Sequence, residues 1–357
     1  MKKSLIALAA LAAFGTASAQ STVTIGGTYS FGFQKSDTGA TSADFFDSRV
    51  NFSGTEDLGG GLKASFSTEM QMGGRSDLTT IDSTSATNQS KTGNVWGRNA
   101  TVTLAGPFGT VSGGRIEGTN SIESAIVSGQ SLAIGFDRAA LTGAKSNFNT
   151  IGYTTPAFSG VAVTVQQLKS LNDKFAIGAS ATTTSGVTTV TEATAAATAE
   201  TTVTVLGASY SNGPLVAGVV HKSVSNALGG TGTAVLDGTK LEAFAIYDLG
   251  TAKIGLGYAK NSGDAYKDQK PGMLASLAVP MGAVTLGADW YARKAGGSTA
   301  LGQTKALGMT TTNGSAYAVV ANYALSKRSN LKATIGKVEG DNLVAKQQYR
   351  LGMHHTF

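Results

Sequence analysis

No cysteine occurs in the 357 residues, so neither a disulfide nor a thiolate-bound metal can hold this chain together. Prolines number five, and charged residues make up 14%, about half of the usual quarter. Three histidines, His221, His354 and His355, leave little for a metal or a catalytic triad. No serine sits in a G-x-S-x-G turn, and the histidines lack an H-x-x-x-H spacing. Glycine-rich stretches such as GTVSGGR lie in strand-like sequence and not ahead of helices, so they are no phosphate loops. Neither an enzyme, a metal site nor a cofactor is therefore expected. Past residue 19 no apolar run reaches the roughly 18 residues that a membrane helix needs.

What is present begins with MKKSLIALAALAAFGTASA. Two lysines, an apolar run from Leu5 to Phe14 and the triplet Ala17-Ser18-Ala19 make a secretory signal peptide, residues 1–19. The mature domain is expected to span 20–357. Loss of Lys2 and Lys3 lowers the formal charge from +6 to +4, too small a surplus to imply a nucleic-acid partner.

The dominant period is two. Val23, Ile25, Gly27, Tyr29, Phe31 and Phe33 alternate with Thr22, Thr24, Gly26, Thr28, Ser30 and Gly32. Leu62, Ala64, Phe66, Thr68 and Met70 alternate with Lys63, Ser65, Ser67, Glu69 and Gln71. Val284, Leu286, Ala288 and Trp290 alternate with Thr285, Gly287 and Asp289. Such alternation gives strands with one apolar and one polar face. Each runs about 9 to 12 residues, longer than the usual five or six and suited to a tilted bilayer crossing.

A β-sandwich also alternates, but its connections have no reason to. Here short turns (55–61, 105–109, 156–160, 211–214, 248–251, 280–282, 326–330) alternate with longer polar stretches (35–42, 74–94, 117–148, 171–200, 225–239, 262–270, 293–313, 340–345). Seven turns and eight loops connect sixteen strands. The expected fold is all-β, a 16-stranded antiparallel transmembrane β-barrel with short periplasmic turns and long extracellular loops. An even strand number lets the first and last strands pair and removes the sheet edge. The stretch 180–204, almost wholly Ala, Thr, Val, Ser and Glu, fits a loop or a continued seventh strand.

The ending YRLGMHHTF obeys the same rule. Counting back in twos, Phe357, His355, Met353, Leu351 and Tyr349 face lipid, while His354, Arg350 and Gln348 face the lumen. Adjacent histidines on opposite faces cannot share a metal. Phe357 is an aromatic at the membrane interface, on a last strand expected to close on Val23–Phe33.

Several stretches resemble the Gram-negative general porins, in particular the trimeric, 16-stranded porins of the neisserial and burkholderial type. SRVNFSGTEDLGGGLKASFSTE (48–69) is similar to the family's second strand, first turn and third strand. RNATVTLAGPFGTVSGGR (98–115) resembles strands four and five, and NTIGYTTPAFSGV (149–161) the segment that re-enters the barrel after loop three. YALSKRSNL (323–331) and the ending resemble the last hairpin and strand.

The resemblance implies a water-filled channel in the Gram-negative outer membrane, passing small hydrophilic solutes and ions. It implies a homotrimer embedded in outer-membrane lipid and an inward-folded third loop, residues 117–148. It also makes Phe357 part of the signal read by the barrel-assembly machinery, with periplasmic chaperones as further partners. A substrate-specific channel, for organic anions for example, is the alternative, with surface loops as an adhesion or phage-contact surface. Trp96, Trp290 and the tyrosines form no inward aromatic track that would favour it.

In the family, acidic residues of loop three face basic wall residues across the eyelet. Arg49 matches the wall arginine of strand two, and parity agrees, because Val50 and Phe52 take the lipid side. A lipid-facing arginine near the midplane costs roughly 2–4 kcal/mol. Arg115 matches the basic residue that closes strand five. Its parity with Val111 points it to lipid, unless a bulge at Gly113-Gly114 turns it inward. Arg98 has the same parity trouble and suits the headgroup level. A third family arginine is replaced here: KSNFNT offers Lys145, with Arg138 as another cation. Glu117, Glu123 and Asp137 are the loop's carboxylates. These balanced charges, with the basic surplus, imply weak anion preference.

Overall fold

The computed structural model describes residues 22–37, 39, 41–45, 48–72, 99–117, 121–129, 147–170, 181–184, 187–190, 202–228, 235–263, 271–293, 314–340 and 347–357. Among them sixteen strands form one closed sheet: β1 (Thr22–Ser36), β2 (Ser48–Gly59), β3 (Leu62–Met72), β4 (Asn99–Gly106), β5 (Gly109–Glu117), β6 (Asn147–Thr154), β7 (Val161–Ser170) and β8 (Thr202–Asn212) make the first half. The second half is β9 (Leu215–Leu228), β10 (Val235–Asp248), β11 (Lys253–Ser262), β12 (Gly272–Met281), β13 (Val284–Arg293), β14 (Gly314–Ala324), β15 (Ser329–Gly340) and β16 (Gln347–Thr356).

Each strand pairs antiparallel with the next, and β16 returns to β1 from Thr28↔Thr356 to Ser36↔Gln348. The seam is staggered relative to the sequence expectation. The part of β1 below Thr28 pairs with β2, from Thr22↔Thr55 to Thr28↔Arg49, while only its upper part meets β16. Such a stagger is the shear that a tilted, closed sheet requires. The four-residue strand Ser42–Phe45 prolongs the β1–β2 hairpin (Phe31↔Phe45), and a separate hairpin joins 181–184 to 187–190 outside the barrel. Among the described residues the seventh strand spans Val161–Ser170, and 181–184 of the Ala/Thr-rich stretch pair with 187–190 and not with the barrel sheet.

The seven short turns all fall where the sequence places them. One of the two-residue turns joins β2 to β3, where Gly59, Gly60 and Gly61 take φ of 80°, 61° and 81°, values that a side chain disfavours. Asp57 helps by accepting the Gly59 N–H at 2.9 Å. At the other rim, the stretch 225–239 is less of a loop than its polar composition implies. β9 reaches Leu228 and β10 starts at Val235, with a register shift between Val224 and Ala227. Backbone pairing continues there through Ala227↔Leu236 and Leu228↔Val235, because the ladder needs only N–H and C=O groups.

Alternation sorts the side chains. Val102, Ile151 and Val319 are 65%, 62% and 59% exposed on the outer face, whereas Val320, beside Val319, is 0% exposed on the inner one. An outer surface this apolar matches lipid and not water. Inside lie two apolar clusters. One joins Leu168, Val203, Val205 and Val224, with Ile116, Phe148 and Val220 against it. The other joins Ala259, Leu274, Tyr291, Ala316 and Ala318 to Ile122 and Ala125 of the segment that follows β5. That second cluster pins a loop inside the barrel.

Candidate pore constriction

After β5 the chain leaves the wall, makes one 3-10 turn (Ser121–Ala125) and runs on to Gly129. It rests on the inner faces of β10 to β13. Ile122 and Ala125 are fully buried there, and each such apolar burial contributes up to about 1.5–3 kcal/mol for a large side chain.

Polar contacts fix both ends. Ser121 N–H donates to Glu242 Oε2 at 2.8 Å, and Lys222 Nζ donates to the same oxygen at 2.7 Å. At the other end Ser276 Oγ accepts the N–H groups of Val127 and Ser128 at 2.9 and 3.2 Å, and donates its own proton to Asp289 Oδ1 at 2.6 Å. Ser128 Oγ donates to Asp289 Oδ2 at 2.6 Å. The Ser276 hydroxyl thereby uses its one proton and both lone pairs, and each Asp289 oxygen receives one hydroxyl. Gly129 O accepts Lys332 Nζ at 2.6 Å. Glu242 and Asp289, 2% and 3% exposed, are thus hidden beneath the segment.

These two carboxylates are the functional residues that pattern reading missed. Asp289 stands on the polar row of its strand, which marks it as inward but says nothing of a partner 161 residues away. Glu242 carries no local signal beyond its parity.

Of the sequence-derived candidates, Arg49 lies opposite Thr28 and Gln71 on the inner row that includes Asn51. Its Nη1 is 3.7 Å from Glu69 Oε2, with about a third of the arginine side chain exposed (30%). Glu123 sits on the docked 3-10 turn, half-buried, its carbonyl accepting Ile126 N–H at 3.1 Å. Arg115 faces Ala100 on one side and Asn149 on the other in unbroken register, so the expected bulge at Gly113-Gly114 is absent. The irregularity is confined to Gly114, with φ 138°. Because Asn149 is two residues from outward Ile151, the pairing puts Arg115 on the outer row at the loop-side rim. Glu117 shares that row and donates its N–H to Asn99 Oδ1 at 3.0 Å. Asp137, Arg138, Lys145 and Arg98 lie outside the described residues.

The last strand adds a further inner cation, since Arg350 donates from Nε and Nη2 to Gln34 Oε1 at 3.3 and 3.1 Å. His354 bonds through Nδ1 to the Ser30 hydroxyl on the inner face. His355 bonds to the Ser329 hydroxyl at 2.9 Å, on the row of outward Met353. The two histidines therefore serve separate strand contacts.

A family model described as Gram-negative porin matches residues 7–343. Outer membrane porin protein 32 of Delftia acidovorans is 33% identical over 276 residues, 71% of this chain and 68% of that protein. Among solved structures, an anion-selective porin from Comamonas acidovorans superposes with a TM-score of 0.65 at 23% identity, covering 95% of this chain and 100% of that one. OmpT of Vibrio cholerae, in a trimer form, gives 0.61 at 13% identity, covering 94% and 99%.

Proposed function

The chain belongs to the Gram-negative porin family, and we propose that its pore prefers anions weakly. It is a general porin of the outer membrane, a diffusion channel and not an enzyme. One observation carries the anion preference. The docked segment covers the wall carboxylates Glu242 and Asp289, while Arg49 and Arg350 stand on the inner rows of β2 and β16. The anion-selective porin among the solved structures and the chain's basic surplus support the same sign.

In this reading Arg49 is the basic wall of the constriction and Glu123 the acidic member carried by the loop. Arg115 and Glu117, on outer rows, act at the rim. Asp137, Arg138 and Lys145 complete the loop's charge. The functional unit is a homotrimer of the neisserial and burkholderial type, a subtype supported by the stretch 48–69. The chain is exported by cleavage of residues 1–19.

Planar-bilayer recording under a salt gradient tests this. The expected reversal potential has the sign of anion preference. Strong cation selectivity overturns it.

A further inference from the structure

The constriction segment does not merely touch the wall. It lies in a trough made by missing side chains. Gly255 and Gly257 on β11 face inward, alternating with the exposed Ile254 and Leu256, and Gly287 on β13 faces inward between Leu286 and Ala288. A Cβ on Gly255 meets the Ala125 carbonyl oxygen at 1.7 Å. On Gly257 it meets Ile122 Cγ1 at 2.4 Å, and on Gly287 it meets Ser128 Cβ at 2.6 Å. Three consecutive anchor points of the loop thus each sit on a glycine.

Register explains why these positions act together. Gly255, Ser276 and Asp289 are direct neighbours across β11, β12 and β13, and Gly257, Leu274 and Tyr291 form the next row. The carboxylate clamp and the glycine floor are therefore one surface. Ordinary contact with a Cβ begins at 3.4 Å, so an alanine at 255 requires the Ala125 oxygen to move by the difference from 1.7 Å, again 1.7 Å. The sheet lies behind, and Glu242 and Asp289 hold the segment at both ends, so the only free direction is toward the lumen. Dense packing makes such shifts propagate and not dissipate.

We infer that Gly255, Gly257 and Gly287 are positioning residues that set the pore's cross-section by letting the constriction segment sit one side-chain layer closer to the wall. This rests on the channel reading. It adds that conductance is tuned from behind the loop, by residues that no permeating solute touches.

The pair Gly257 and Ile122 allows a double-mutant cycle, because Ile122→Ala deletes the Cγ1 that an alanine at 257 displaces. Single-channel conductance is measured on folded protein, with heat-modifiable gel mobility as the check on assembly. Gly257→Ala is expected to lower conductance about 1.5-fold or more, as pore width controls passage. In the Ile122→Ala background the same change has little effect. Gly207→Ala is the control, an inward glycine whose added Cβ finds its nearest neighbour at 3.5 Å, and it conducts like the wild type.

Unchanged conductance in Gly257→Ala, or an equal drop in both backgrounds, overturns the proposal. Should Gly257→Ala fail to fold, the double variant must recover folding, and its failure overturns the proposal as well. A silent wild-type channel in the same assay counts against the channel reading and leaves the seat untouched.

Discussion

Phe357 and Gly27 exchange two backbone hydrogen bonds, each with N···O of 3.2 Å, and the Phe357 ring covers the place where a Gly27 side chain would stand. The ring centroid lies 5.8 Å from that of Tyr29, extending the β1–β16 seam past Thr28↔Thr356. The last residue therefore closes the barrel directly as well as ending the chain.

Gly27→Val is expected to block closure. The added Cβ comes within 2.4 Å of the Arg49 carbonyl oxygen and 2.8 Å of Phe357 Cζ, so both neighbours of β1 must shift. Gly26→Ala is the milder control, its Cβ meeting the Asn51 side chain at 3.2 Å. Heat-modifiable mobility should show little folded Gly27→Val protein and near-normal Gly26→Ala. Comparable yields of the two contradict the seam's role.

Phe357→Ala separates packing from assembly signalling. Loss of the aromatic contact alone costs about 0.5–1.5 kcal/mol beyond lost area, too little to stop purified protein from refolding into detergent. If Phe357 is read by the assembly machinery, yield in cells falls severalfold while refolding in vitro persists. Normal trimer yield in cells refutes the signal.

Asp289→Ala should loosen the constriction. Two serine hydroxyls lose a carboxylate acceptor, each such bond contributing about 1.5–3 kcal/mol, while the β12–β13 ladder is untouched. Single-channel traces are expected to show larger conductance and more open-state noise. Asp289→Asn, with one acceptor oxygen left, should fall between. A quiet trace at wild-type conductance in Asp289→Ala contradicts the clamp.

How far the sequence carries is visible in these residues. Parity alone separates Arg49 from Val50 and His354 from His355, because a strand's side-chain period is local. The short turns were legible through Gly, Pro, Asn and Asp, whose backbone preferences are local too. The contact of Ser128 with Asp289 was not, since barrel closure brings them together and neither strand encodes it. Gly255, Gly257 and Gly287 were indistinguishable in sequence from many other strand glycines, because what distinguishes them is the segment lying on top. Arg115 shows the opposite limit. Two glycines suggested a bulge, but the ladder absorbed the strain at Gly114 without losing register.

Val319→Arg tests the outer face. This valine is 59% exposed in the middle of β14, and an arginine at the midplane of such a wall costs about 2–4 kcal/mol. Urea titration of folding into lipid vesicles should register that loss. Ser209→Arg, at an exposed position on the inner row of β8, should stay within about 0.5 kcal/mol of wild type. Equal stability of the two variants would mean that the faces are assigned wrongly.

Arg49→Glu tests the sign of the pore. The substitution changes the inner wall by two charges and sets a carboxylate beside Glu69, whose Oε2 now lies 3.7 Å from the guanidinium. Under a KCl gradient the reversal potential should move toward cations, with Arg49→Gln about halfway. The shift should shrink as salt rises, because the screening length falls from about 10 Å at 0.1 M to about 3 Å at 1 M. A change of pore shape alone would persist at high salt, so this dependence separates charge from geometry. A reversal potential that Arg49→Glu leaves unmoved at low salt places Arg49 away from the constriction.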